Sequence, residues 1–233
     1  NDDAEITKRF LEAEKFPEDI LAELAGFLQI IHSPLAVRSS SLLEDSQYHP
    51  FAGVYETYML PNNQSNPLIR LNDLLNTIKR VYASTFYQAP KNYIKLTSYR
   101  LEEEKMAVIV QKMVGSRHEN RFYPHFSGVA KSYNFYPLPP QKSTDGIISV
   151  ALGLGKWVVD GGLTVRFCPK YPTDLIQFYS SKDALENSQR EFYALRLDET
   201  NRFVETTHDT LVETFNLSVS EKDGTLNPVG SVY

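Results

Sequence analysis

Cysteine is nearly missing from this chain: Cys168 is the only one among 233 residues. One thiol excludes an internal disulfide, so an apolar core has to hold the fold, and the chain suits a reducing compartment such as the cytoplasm. Cys168 follows a strand-like run and reads as a small buried apolar residue, not a catalytic thiol. A basic surplus is also missing. Against 29 Asp and Glu there are 24 Lys and Arg, a net charge of -5. That balance excludes broad nucleic-acid binding, which needs cations to displace counterions, but one local polyanion site needs only a few Arg or Lys. No apolar stretch approaches the roughly 20 residues that span a bilayer, and the polar, acidic start has no signal-peptide pattern. The five histidines, His32, His49, His118, His125 and His208, show no metal-ligand spacing, and no Ser/His/Asp nucleophile elbow is present. His118 and His125 flank a polar stretch and read as surface groups.

What is present is enough apolar material, 42% of residues, for a real core in one large domain or two small lobes. Helical spacing of Ile20, Leu21, Leu24, Leu28 and Ile31 predicts a first helix over residues 17–31, opened by Pro17 with Glu18 and Asp19 behind it. Leu35 to Val37 reads as a short buried strand ending at Arg38, and residues 39–66 as loop. Leu71, Leu74, Leu75, Ile78, Val81 and Tyr82 predict a second amphipathic helix ending before Pro90. The acidic run 101–105 reads as a solvated turn or helix end, 106–114 as a buried strand, and 116–124 as loop. Further strands are expected at 126–130, 147–152, 164–167, 191–197 and 203–207, and a helix at 181–189. Helices and strands without βαβ alternation give an α+β class. The chain opens on Asn1 and stops at Tyr233 in an extended-looking stretch, and is expected to be part of a longer protein.

Four segments carry candidate chemistry. Val37-Arg38-Ser39-Ser40-Ser41, followed by Glu44-Asp45, puts a guanidinium at a strand end before a hydroxyl-rich loop, which suits a phosphate or an ordinary surface turn. Phe51-Ala52-Gly53-Val54-Tyr55-Glu56-Thr57 combines a glycine that permits close backbone approach with a hydroxyl. Val108-Ile109-Val110-Gln111-Lys112-Met113-Val114-Gly115 interrupts an apolar strand with polar residues; taken alone it reads first as an edge strand with Gln and Lys in solvent, and second as an adenine site lined by Met and Val. Gly153-Leu154-Gly155-Lys156-Trp157-Val158-Val159-Asp160-Gly161-Gly162 is a tight turn. It is neither a Walker A loop nor a dinucleotide fingerprint, because Trp157 follows the Lys and Val158 holds the third glycine position.

In this order, and with Ser127-Gly128-Val129 between them, these segments resemble the ATP-binding domain of the phosphoenolpyruvate synthase and pyruvate phosphate dikinase family. The resemblance covers residues 34–170, and rifampicin phosphotransferases and glucan dikinases are similar relatives. It implies an ATP-grasp fold, two lobes clamping ATP. It places Arg38, Ser39, Gly53 and Thr57 at the phosphates, and Gln111, Met113, Val114 and Lys156 at adenine and ribose. It implies Mg²⁺ as cofactor and a mobile domain whose histidine takes the β-phosphoryl group and passes it to pyruvate or another acceptor. The phosphohistidine and pyruvate-binding domains would be partners in the same polypeptide.

Departures from the family pattern are specific. Lys156 stands where the family has Glu after Gly-Leu-Gly. The loop over 115–124 is longer, and residues 133–142 are rich in Pro and aromatics. A glycine-rich segment with a phosphate-binding Lys, and a closing Gln-x-Arg-Pro segment, are not found in the sequence. The expectation is therefore an ATP-dependent phosphotransferase as a full-length protein, with the chain alone inactive. The competing expectation is a non-catalytic nucleotide-sensing or partner-binding module.

Overall fold

The computed structural model describes residues 2–13, 16–44, 53–96, 100, 104–178, 180–198 and 211–227. The chain divides into two compact units, residues 1–113 with 196–212, and residues 114–195 with 213–233. Each mixes helix and sheet, in keeping with the α+β expectation.

The first unit is a three-stranded antiparallel sheet with helices on one face. Strand β1 (Leu35–Ser41) lies between β2 (Thr57–Leu60) and β3 (Met106–Lys112). Period-two alternation in β1 sends Leu35 and Val37 to one face, where they are fully buried. Tyr58 and Leu60 of β2 join them, and α2 (Glu18–Ile30) and α3 (Pro67–Ser84) supply Leu28, Leu74, Ile78 and Val81 to the same core. Pro17 is the N-cap of α2, with Glu18 and Asp19 in its first turn, as the spacing implies. Asn66 caps α3 by accepting from the Leu68 N–H, and Pro67 follows at the first position.

Helix α1 (Asp3–Glu12) has no counterpart in the sequence reading; only Ile6 and Phe10 mark its apolar stripe. It seats on Ala83 and Tyr87, with the Thr7 and Tyr87 hydroxyls 2.5 Å apart. Lys79 donates to the carbonyls of Leu11 and Ala13 at its C-terminal end. The short helix α4 (Gln88–Ile94) holds Pro90 in its first turn, where a missing N–H does no harm.

The second unit holds a four-stranded sheet, order β10-β9-β5-β4, and a three-stranded sheet, order β6-β7-β8. The first is built from β4 (Ser116–His118), β5 (Arg121–Tyr123), β9 (Glu191–Arg196) and β10 (Val212–Asn216). The second is built from β6 (Ser127–Lys131), β7 (Ile147–Ala151) and β8 (Val165–Phe167). Helices α5 (Lys156–Val159), α6 (Ser181–Asn187) and α7 (Leu217–Lys222) complete it.

Several expectations are corrected. Residues 116–124 are a β4–β5 hairpin, not loop: polar side chains at Ser116 and Arg117 hid a ladder whose other strand is Phe122 and Tyr123. Strand β3 is not buried on both faces but alternates half-buried and exposed, ends at Lys112, and is an edge of its sheet. The stretch 39–66 contains the end of β1 and all of β2. His125 is exposed as expected, but His118 packs against the Tyr123 ring at 4.8 Å and its Nε2 is buried. Cys168 is buried, 2% exposed. Asp45, His49, Phe51, Ala52, residues 101–103, the strand expected at 203–207 and His208 lie outside the described residues.

Candidate nucleotide-binding site

Antiparallel register decides which candidate residues meet. Arg38 of β1 lies directly opposite Thr57 of β2 and Ile109 of β3, and Ala36 lies opposite Gln111. Opposed residues project to the same face with Cβ atoms roughly 4.5–5.5 Å apart. Arg38, Thr57 and Gln111 therefore share the face of the sheet that α2 and α3 do not cover, and all three are exposed. Among the described residues none of the three side chains has a hydrogen-bond or ion-pair partner. The rest of this face is small or apolar: Ala36, Ser40, Ala107, Ile109 and Met59. Period-two alternation in β3 brings Ala107 and Ile109 to the same face as Gln111.

Ser39 is turned the other way. It is 5% exposed, and its hydroxyl donates to Glu44 Oε1 at 2.9 Å. The other carboxylate oxygen of Glu44 accepts from the Ser41 N–H, and the Ser41 hydroxyl accepts from the Glu44 N–H. This closed loop ties the chain leaving β1 back onto the strand. Nearby, burial and then Glu104, which accepts from the Tyr55 hydroxyl at 2.9 Å, push the Tyr55 phenol far above its ordinary range. Gly53 sits in an exposed turn at φ +82.

Beyond β3, Met113 is 8% exposed and its N–H donates to the Pro34 carbonyl at 2.9 Å. Val114, in the second unit, is 84% exposed. Gly115 follows it, and a Cβ there would stand 2.8 Å from the Phe122 ring and the Tyr123 backbone, so only glycine lets the chain pass the hairpin this closely.

The Gly153 turn of the second unit is pinned on both sides. Gly153 has φ +88, and an added Cβ would meet the Tyr193 carbonyl at 2.8 Å. Its own carbonyl accepts from Ser127 Oγ at 2.7 Å, and the Leu154 N–H donates to Tyr193. Lys156 opens α5 and is not free, because its ammonium pairs with Asp160 at 2.9 Å one turn on. Trp157 donates to the Leu163 carbonyl and packs edge-on against Tyr193 at 5.2 Å.

A second set of polar groups in this unit satisfies its own members. Arg121 reaches Asp223 at 2.8 Å, the Tyr123 hydroxyl donates to Asp223 at 2.7 Å, and Thr225 lies 2.9 Å from the same hydroxyl. Burial alone would raise the Asp223 carboxyl; the hydrogen bonds from Arg121 and Tyr123 outweigh it and hold the group below the usual carboxylate range.

An exposed guanidinium thus lies beside a hydroxyl on a sheet face that also carries an amide and small or apolar side chains; the class of protein follows from the family to which the chain belongs, a nucleotide-binding domain. The chain belongs to the pyruvate phosphate dikinase AMP/ATP-binding domain family, whose model matches residues 1–217. It corresponds to the ATP-binding portion of phosphoenolpyruvate synthase- and pyruvate phosphate dikinase-like proteins. It is 32% identical over 152 residues to an uncharacterized phosphotransferase of Bacillus subtilis, covering 64% of this chain and 16% of that protein. It is 28% identical over 164 residues to a rifampicin phosphotransferase of Bacillus cereus, covering 67% and 17%. A phosphoenolpyruvate synthase of Aeropyrum pernix is 29% identical over 146 residues, covering 63% and 16%. The chain thus spans only about a sixth of the curated relatives it matches.

Proposed function

We propose that the chain is the ATP-grasp-type nucleotide-binding portion of an ATP-dependent phosphotransferase. Residues 34–170 carry the family motifs, and 171–233 continue the domain. The single observation behind this reading is the uncommitted row Arg38, Thr57 and Gln111 on one open sheet face. Arg38 and Thr57 hold phosphate oxygens, with the exposed Gly53 turn approaching by its backbone. Gln111, Met113 and Val114 supply the adenine end. Ser39 acts indirectly, through the Glu44 loop that fixes the end of β1. In the full-length protein a histidine on another domain takes a phosphoryl group from ATP and passes it to pyruvate or another acceptor. Such transfer relies on positioning and charge neutralisation, and a fixed guanidinium supplies both.

The family implies Mg²⁺. Among the described residues, however, no group of three His, Cys, Asp or Glu side chains could hold a metal ion. Among the same residues no helix is long and apolar enough to cross a membrane. A cytoplasmic enzyme is the reading that the single thiol supports.

The test is calorimetric titration of ATP into the wild-type chain and Arg38→Ala. Binding by the wild type and a weaker, still-folded variant are expected; equal affinities would remove Arg38 from the site. The chain alone is also expected to form no AMP from ATP, Mg²⁺ and pyruvate. Sustained AMP formation that disappears in Arg38→Ala would make it a complete catalyst. A second reading, a nucleotide sensor without catalysis, is favoured by Lys156, whose charge is closed on Asp160. AMP formation by the full-length protein separates the two.

A further inference from the structure

Fifteen residues, 132–146, join β6 to β7, longer than most hairpin loops and long enough to suggest a task of its own. They leave β7 at the end opposite the Gly153 turn. The loop is ordered by its own polar groups. Asn134, 6% exposed, donates its N–H to the Ser143 carbonyl at 2.8 Å and accepts from the Tyr136 N–H at 3.0 Å. The Gln141 N–H donates to Leu138, and Asp145 accepts from the Lys142 N–H and pairs with Lys170. Pro137, Pro139 and Pro140 stiffen what lies between.

On this fixed frame the large side chains point into solvent. Phe135 is 74% exposed and Tyr136 90%, with Tyr133 and Leu138 nearly half exposed beside them. The Tyr133 and Phe135 rings meet edge-on at 5.0 Å, and Tyr136 follows them directly in the chain. Folding gains nothing from leaving them in water, whereas pre-ordered aromatic anchors bind with little loss of entropy. Charge narrows the partner. The aromatic-bearing stretch 131–142 carries Lys131 and Lys142, and the loop's one carboxylate, Asp145, is paired with Lys170, within a chain of net charge -5.

We propose that this loop docks an acidic-rimmed apolar face of another domain of the same polypeptide. The choice of partner rests on the reading that the chain is part of a longer phosphotransferase. The matched relatives support it, since the aligned part is 16% of the first of them. The loop lies at the far end of its strands from the glycine turn.

The experiment uses the full-length protein with the photoreactive p-benzoyl-phenylalanine in place of Tyr136. Illumination followed by peptide mass spectrometry is expected to join position 136 to a residue outside 1–233 of the same molecule, beside Asp or Glu. Adding Phe135→Ser should lower that yield about fivefold, the loss of one anchor. The same photoreactive residue in place of Leu185, 72% exposed on α6, should give no such link. A link to a second copy, a link to a different protein or a membrane lipid, or no link from position 136 would each overturn the proposal. ATP titration of the same protein reports separately on nucleotide binding, so a failed docking surface and a failed nucleotide site give different results.

Discussion

The two arginines Arg38 and Arg121 both lie in antiparallel strands, yet one is left open and the other is closed. Arg121 has a side chain 13% exposed and pairs with Asp223, itself 7% exposed and hydrogen-bonded to Tyr123. Arg38 is exposed, and among the described residues nothing answers its charge. A charge that the fold neutralises serves the fold, because removing its partner leaves a buried charge unsatisfied. A charge that the fold leaves unanswered is available to a ligand. The same contrast separates Thr57 from Thr225, whose hydroxyl is buried between Tyr123 and the Ser220 carbonyl.

The comparison can be broken most directly at Asp223. Asp223→Ala strands Arg121 and should lower unfolding stability by about 3 kcal/mol, read by urea denaturation. A loss below about 0.5 kcal/mol would mean the pair is no structural tie. Arg38→Ala should do the reverse. Loss of one or two charge-assisted hydrogen bonds, about 1.5–3 kcal/mol each, weakens ATP binding by about tenfold to a hundredfold and leaves the melting temperature unchanged. A lowered melting temperature with normal affinity would move Arg38 into the class of Arg121.

Acid sharpens the contrast. The Asp223 carboxyl is held below its unfolded value of about 3.9. Its contribution to stability is therefore complete above that value and is lost as pH falls through the lower folded value. Wild type and Asp223→Asn should differ most at pH 7 and converge below about pH 4; a gap that widens in acid contradicts the assigned sign. The smallest effect belongs to Lys156→Ala. An exposed pair one helical turn apart is worth about 0.3–0.5 kcal/mol, so melting should barely move. A strong loss of ATP affinity in that variant would show that Lys156 leaves Asp160 for the nucleotide.

The sequence makes the residues of the candidate site legible by kind but not by face. Arg38, Thr57 and Gln111 are legible in the sequence as polar residues, but their common face follows from the pairing of β1 with β2 and β3, and the sequence of β2 reads as loop. Ser39 looks like Arg38's natural companion in the sequence, yet period two puts neighbours on opposite sides of a strand. The network of Arg121, Tyr123, Asp223 and Thr225 joins residues about a hundred apart, and neither spacing nor propensity carries that information. Helix α1 escaped because its stripe is two residues wide, and tertiary contact with α3 supplies what its own pattern lacks.

That contact sets how far the chain can be trimmed. The recognisable motifs begin at residue 34, but the first thirteen residues carry the cover over Ala83 and Tyr87 and the two carbonyls that hold the Lys79 ammonium. A protease or a gene truncation that removed them would bare an apolar strip of α3 and strand Lys79 beside it. The smallest autonomous piece of this unit therefore starts ahead of Asp3, some thirty residues before anything in the sequence announces a nucleotide.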